Sequence, residues 1–478
     1  MGSKKSLIRN SIYNVLYKTL NIVFPMITSM YVARILAADS IGKVAAAQNI
    51  VSYFTLLAAM GIPTYGVKLI AQYTDKSMES SKAFSELFLI NFILSVFCSI
   101  AYYLLIFTVG YFDGKEFLYA VCGLNIIFNV FNVDWFFQGI QEYGYIALRS
   151  FLFKCLSLLT LVLLVRSSGD YILYALISSG ALVGNYIFNI VRIRRYVSFS
   201  FKGLHFDDHL RHIFTLFIAT IAVEVYVLAD TTMLDVLCDS AIVGYYTISM
   251  RVIKIVRSLV VAVSAVFLPQ LSFYYFNGER EEFSKLVNRG AHILIVMSVP
   301  AALGLLLVAN EAVLVFFGSG FSESIFTIQV LAISIVTVAL SNFTGLQILV
   351  TIGKEKITTI STIWGALINI TLNYFLIRSY QHNGAAIASV ITEGLVMTIQ
   401  LVLARKYFKF KFGWMKILLA ASCMVASVII IKQISCPLIL KLALSCCIGT
   451  AVYVVALIIV RDEFVLSALN VMRRKFAK

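Results

Sequence analysis

The chain has 478 residues, of which 60% are hydrophobic and only 13% charged, roughly half the charged share of an ordinary soluble domain. A soluble chain of this length would fold as domains with polar surfaces, so the composition excludes a soluble enzyme or regulator and predicts an all-α polytopic membrane protein. The net charge of +15 predicts no nucleic-acid partner, because the cations gather in short stretches between apolar runs, where membrane topology places them.

Windows of about twenty apolar residues, the length that crosses a bilayer core, predict about fourteen transmembrane helices. They lie near 10–36, 41–63, 84–110, 115–137, 145–165, 170–192 and 210–236 in the first half. The others lie near 240–268, 288–317, 324–351, 357–379, 384–405, 413–432 and 437–460. Residues 1–9, with Lys4, Lys5 and Arg9, read as a basic cap on the first helix. Lys68, Lys76, Lys82, Arg192, Arg194, Arg195, Lys202, Lys354, Lys356, Arg405, Lys409, Lys411 and the tail from Arg473 to Lys478 fall on one side of this topology. Few cations fall on the other, among them Lys43, Lys115 and Arg166. The positive-inside rule then places both termini in the cytoplasm of a multi-pass inner-membrane protein.

A weak internal repeat accompanies the spans. ILAADSIGKVAAAQN (35–49) matches VLCDSAIVGYYTIS (236–249), and further matches centre on Gly139 with Gly353 and on Gly180 with Gly394. Their common order predicts two pseudosymmetric six-helix bundles, 1–196 and 197–411. Two helices and a basic cytoplasmic tail, 412–478, are appended.

The eighth span carries the least expected chemistry. Arg251, Lys254 and Arg257 step by three near its centre and so share one helical face. Facing lipid, the three would cost about 8 to 10 kcal/mol together on the insertion scale, which argues that the face lines water. Arg257 also suits snorkelling toward the nearby interface. Arginine and lysine together suit phosphate, and Lys18, Lys154 and Arg34 are further cations of the same kind; Lys154 also reads as a helix-end residue.

Acids within spans are Asp134, Glu224, Asp230 and Asp235. Glu224 is the deepest and, with Asp230, is a candidate site for coupling to H⁺ or Na⁺. The amides and rings, including Asn129, Gln138, Gln347, Asn373 and Trp135, together with Asp134, suit a sugar-lined passage, or else join helices to one another. His205, His209 and His212 have metal-like spacing but lack a fourth ligand. No nucleophile elbow, phosphate loop or HExxH motif is present in the sequence, so neither cofactor nor catalytic residue is expected.

Several stretches together resemble a known family. They include YVARILAADSIGKVAAAQNIVSYFTLLAAMGIPTYGVKLIAQY (31–73), DWFFQGIQEYGYIALRS (134–150), VGYYTISMRVIK (243–254), INITLNYFLI (368–377) and GAAIASVITEG (384–394). The chain is similar to bacterial polysaccharide flippases, the O-antigen/teichoic acid (Wzx-like) exporters of the multidrug/oligosaccharidyl-lipid/polysaccharide superfamily. That resemblance implies two helical bundles around a central cavity. It implies alternating-access transport of an undecaprenyl-pyrophosphate-linked oligosaccharide, with the pyrophosphate on the cavity cations. A polysaccharide polymerase and a chain-length regulator are the protein partners it implies, besides membrane lipids. Where many members read Asp-Lys-x-Met, this chain reads Asp230-Thr231-Thr232-Met233. The rivals are a MATE-type cation exporter, which would prefer an acidic cavity, and a membrane polysaccharide polymerase, which needs a large far-side loop.

Overall fold

Within a bilayer no water is available to a backbone N–H or C=O, and a helix satisfies them all inside one segment. The computed structural model obeys that constraint: every regular element among the described residues is helical. It describes residues 2–73, 77–200, 203–408, 410, 413–467 and 469. Ten helices among them are long and apolar enough to cross a membrane, and two shorter apolar ones accompany them. Each predicted span coincides with a helix or with a broken pair of helices. Lys76, Lys202, Lys409, Lys411 and the basic tail lie outside the described residues.

The chain packs as two compact units, Met1–Gly244 and Tyr245–Lys478. The first holds α1 (Gly2–Ile35), α2 (Ala38–Ala59), α3 (Ile62–Gln72), α4 (Ser77–Thr108) and α5 (Glu116–Ile127). It continues with α6 (Asp134–Gly139), α7 (Tyr143–Leu164), α8 (Tyr171–Ile193) and α9 (Asp207–Leu237). The predicted span 41–63 corresponds to α2 and ends at a break, beyond which the chain continues as α3 to Gln72. Met60 and Gly61 adopt positive φ of 40° and 78°, and α3 restarts with proline in its first turn, where the missing N–H has no helical partner to lose. The span at 115–137 is likewise interrupted, by a 3₁₀ turn at Phe128–Phe131 ahead of α6.

Close approach of α3 and α6 depends on two glycines. A Cβ on Gly66 would lie 2.3 Å from the Trp135 ring, and one on Gly139 would lie 2.8 Å from Ile70 Cβ. Residues 38–42 meet residues 240–244 more tightly still. A Cβ on Gly42 would sit 1.7 Å from the Ser240 carbonyl oxygen, and one on Gly244 2.0 Å from that of Ala38. Both glycines belong to the matched stretches of the internal repeat. α9 lies against α2 and α3. The segment that leads to it is tied to α4: Ser198 N–H donates to Ser81 Oγ (3.3 Å), Ser200 N–H to Ser85 Oγ (3.1 Å) and His205 N–H to Glu86 Oε1 (2.8 Å).

The second unit takes up the chain within α10 (Ser240–Ala265). It then holds α11 (Leu268–Phe276), α12 (Arg280–Phe316), α13 (Ser324–Ala332), α14 (Ser334–Asn342), a π-helical stretch Phe343–Leu349 and α15 (Glu355–Ala404). α16 (Trp414–Gln433) and α17 (Leu438–Ile459) complete it. α15 contains two of the predicted spans: Gln381 breaks it at φ 51°, ψ −131°, and Gly384 is pressed so close to the Leu376 carbonyl that a Cβ would lie 2.1 Å away. The series α1, α2–α3, α4, α5–α6, α7, α8 therefore recurs as α9, α10–α11, α12, α13–α14 and the two parts of α15. The restart of α11, like that of α3, carries proline in its first turn.

α16 and α17 pack on each other and on α12. One polar contact there follows from a single residue. Pro300 inside α12 has no N–H to offer the carbonyl four residues earlier. The Tyr453 hydroxyl of α17 donates to that carbonyl, of Val296, at 3.0 Å.

Candidate functional site

α10 is apolar except for its cationic face. Arg251 is half-buried, Lys254 is exposed and Arg257 is mostly buried. An exposed ammonium near the middle of a 26-residue apolar helix is the arrangement that bilayer energetics penalises unless water reaches it. Arg257 meets a partner that sequence reasoning missed: its Nη1 lies 3.9 Å from Glu393 Oε1, with the two side chains 15% and 17% exposed. At that distance the contact is one of charge rather than a hydrogen bond. The available signal was that Glu393 is the one acid in the apolar run 384–405.

The other expected cations belong to the first unit. Lys154, half-buried in α7, donates to Asn21 Oδ1 of α1. Arg34 is exposed in the last turn of α1. Lys18 lies on the backbone of α1, but its side chain falls outside the described ones.

The residues expected to meet sugar divide by burial. Asp134 opens α6 and accepts from Arg149 Nη2 at 2.7 Å and from Asn189 Nδ2 at 2.8 Å; Arg149 Nε donates to Asn185 Oδ1 at 2.6 Å. The Arg149 side chain is 4% exposed and that of Asp134 13%, so this is a buried, hydrogen-bonded ion pair joining α6, α7 and α8. Both donors fall on Oδ1 of Asp134, which was expected to meet sugar and here joins helices. Trp135, expected to meet sugar as well, is packed inside. Its ring stacks on Phe84 at 5.6 Å, its other neighbours include Gly66, and 2% of the residue is exposed, so no face remains for a sugar. Asn129, 1% exposed, bonds reciprocally with Asn91 of α4 and joins helices. Asn373, fully buried, donates to Asn369 Oδ1 at 3.0 Å. Gln347 is buried in the π-helical stretch, and its Oε1 finds no donor among the described residues. Gln138 is half-buried at the end of α6.

On α9, Asp230 is 6% exposed whereas Glu224 is half-buried, so burial reverses the order expected from depth along the helix. Thr232 is held by Asn49 Nδ2 at 2.7 Å and by the Tyr53 hydroxyl at 3.0 Å. At the start of α9, His209 bridges Glu86 Oε2 (2.8 Å) and the Tyr65 hydroxyl (2.9 Å), while Tyr65 stacks on His212. Among the described residues these histidines form no metal-holding group. Two further acids inside spans also escaped the sequence reading. Glu86 is the one at His209, and Glu311 of α12 pairs with Lys432 of α16 at 3.4 Å.

Comparison with known proteins adds the family. A protein described as an O-antigen transporter in Shigella dysenteriae is 22% identical over 391 residues, covering 80% of this chain and 96% of its own. A protein described in the same way in Escherichia coli (strain K12) is 22% identical over 414 residues, 84% of this chain and 98% of its own. Among solved structures, the lipid II flippase MurJ in an inward closed conformation superposes with a TM-score of 0.79 at 15% identity. The match covers 95% of this chain and 99% of that one. An inward-facing MATE multidrug transporter of the MOP superfamily superposes with a TM-score of 0.65 at 14% identity, covering 83% and 97%. These likenesses establish the fold. The model of the family described as "Polysaccharide biosynthesis protein" matches residues 7–274, more than half of the chain, and the chain belongs to that family.

Proposed function

We propose that this protein is a flippase that carries a polyprenyl-pyrophosphate-linked oligosaccharide across a bacterial inner membrane, by alternating access, for surface polysaccharide assembly. The observation that carries the reading is the pair of relatives described as O-antigen transporters, each covered over nearly its whole length. The α10 cations supply the chemistry: Arg251 and Lys254, with Arg257 held in place by Glu393, form a wetted cationic face for the pyrophosphate. Lys154, Lys18 and Arg34 are secondary cationic contacts for the substrate's anionic group, and Gln138, Gln347 and Asn373 are polar groups for the glycan. Glu224 and Asp230 are the candidates for coupling to H⁺ or Na⁺. Both termini lie in the cytoplasm. The functional halves divide near 196/197, where the helical series restarts, and α16–α17 form an appended pair. A polymerase and a chain-length regulator act downstream.

The test is to delete the gene and locate lipid-linked repeat units. Retention in the cytoplasmic leaflet with loss of surface glycan is expected. Normal surface glycan in a strain without a redundant exporter refutes the reading. Arg251→Ala and Lys254→Ala, inserted at normal levels, lower export at least about tenfold, the loss that follows from removing one charge-assisted contact to a phosphate. Unchanged export in both would remove the cationic face from the mechanism. Transport in proteoliposomes that is independent of imposed ion gradients removes Glu224 and Asp230 from it.

A further inference from the structure

The first unit contains a pocket that the proposed pyrophosphate face does not use. It lies where α2, α8 and α10 begin, α9 ends and the turn before α5 enters the helix, and has a volume of about 280 Å³. That is near the lower end of small-molecule sites, room for one sugar ring and little more. Its wall combines two ammonium groups, one carboxylate and aromatic rings: Lys43, Lys115, Asp235, Phe117, Tyr119 and Tyr171.

The groups are not equivalent. Lys43 is already committed, with its ammonium 2.6 Å from Asp39 and over the Tyr171 ring. Lys115 lies over the Tyr111 ring, 4.7 Å from its centre, and forms no ion pair among the described residues. Asp235 accepts a 2.6 Å hydrogen bond from the Tyr111 hydroxyl at Oδ2, and Tyr119 shares the pocket wall with it. The Tyr111 phenol thus fixes the carboxylate, and its remaining lone pairs are available as acceptors. Exposed Phe117 supplies an apolar surface beside them.

We propose that this pocket is a subsite for one acidic sugar, a hexuronate-type ring of the carried glycan. The ring's carboxylate would pair with Lys115, its hydroxyls would donate to Asp235 and its C–H face would lie against Phe117. A neutral sugar leaves Lys115 with Asp235, which it does not reach as an ion pair, as its nearby opposite charge in the pocket. A bare phosphate satisfies Lys115 but brings no ring hydroxyls spaced for Asp235 and no C–H face for Phe117. The inference rests on the flippase reading for the origin of the sugar, and in the proposed topology the pocket is on the non-cytoplasmic side.

The experiment uses the full-length protein in nanodiscs and ligand-observed NMR titrations with D-glucuronate, glucose and inorganic phosphate. Glucuronate is expected to bind, with Kd rising at least about tenfold in Lys115→Gln, remaining near wild type in Lys115→Arg and rising in Asp235→Asn. Glucose is expected to bind much more weakly and to be indifferent to Lys115→Gln. Equal binding of glucose and glucuronate, unmoved by Lys115→Gln, overturns the proposal, as does phosphate competing as well as glucuronate. A matched export assay separates the two readings. Lys115→Gln should slow export of repeat units containing an acidic sugar and spare neutral ones. If glucuronate binds as described but neither kind of unit is exported by the wild type, the flippase reading fails and the subsite stands.

Discussion

The Asp134–Arg149 pair allows a quantitative test of how the first unit is held together. Both side chains are almost fully removed from solvent. Taking away one partner of such a pair leaves an uncompensated buried charge and costs about 3 to 5 kcal/mol, whereas replacing both by neutral groups costs far less. Arg149→Met strands the Asp134 carboxylate with only the Asn189 amide as donor, so the upper part of that range applies. Asp134→Asn keeps an oxygen for both donors but removes the charge, and about 3 kcal/mol is expected. The double variant should lose only about 1 to 2 kcal/mol, giving a coupling energy of at least about 2 kcal/mol. The assay is SDS-driven unfolding in mixed micelles, read from Trp135, which adjoins the pair and is 2% exposed. The chain has three tryptophans, and the other two, Trp364 and Trp414, are 56% and 43% exposed, so a Trp364→Phe/Trp414→Phe background isolates the signal. Additive single losses, or a loss below about 1 kcal/mol for Arg149→Met, would refute the argument.

Four further outcomes follow from the packing and the ion pairs. Gly42→Ala and Gly244→Ala each drive a methyl group into a backbone carbonyl and should cost at least about 2 kcal/mol in the same assay. Gly180→Ala, with nothing within 4 Å of the added carbon, should gain up to about 1 kcal/mol from helix propensity. Glu86→Gln weakens the anchor for His205 N–H and His209, so limited proteolysis between residues 197 and 206 should accelerate several-fold while the rest of the digestion pattern is unchanged. Arg257→Gln combined with Glu393→Gln should restore the protein yield lost in Glu393→Gln alone, because it removes the stranded charge, without restoring export.

Hydropathy alone placed the helices because burial in lipid leaves a segment little choice of form. It merged α5 with α6, since a break inside an apolar run changes neither length nor composition; the 3₁₀ turn at Phe128–Phe131 acts through backbone angles. It ended the second span at 63, beside the break at Met60 and Gly61, and so left out α3, which carries Lys68 and Gln72. The α10 face was legible because its three members are close in sequence. The pairs Asp134–Arg149, Arg257–Glu393 and Glu311–Lys432 were not, because each joins two helices and periodicity reports only the neighbours on one. Trp135 shows the complementary limit: an aromatic ring beside polar residues suggests an open platform, but Gly66, far earlier in the sequence, makes room for it inside the bundle.

The three amide tethers between the segment at 198–205 and α4 have a mechanical meaning. Ser81, Ser85 and Glu86 occupy little more than one turn of α4, and together with His209 they fasten the incoming chain to that turn at both ends of the crossing. Held at these points, the beginning of α4 and the beginning of α9 are obliged to travel together as one lever. Any bending within the first unit is then displaced away from this junction, toward breaks such as the left-handed joint at Met60 and Gly61 between α2 and α3.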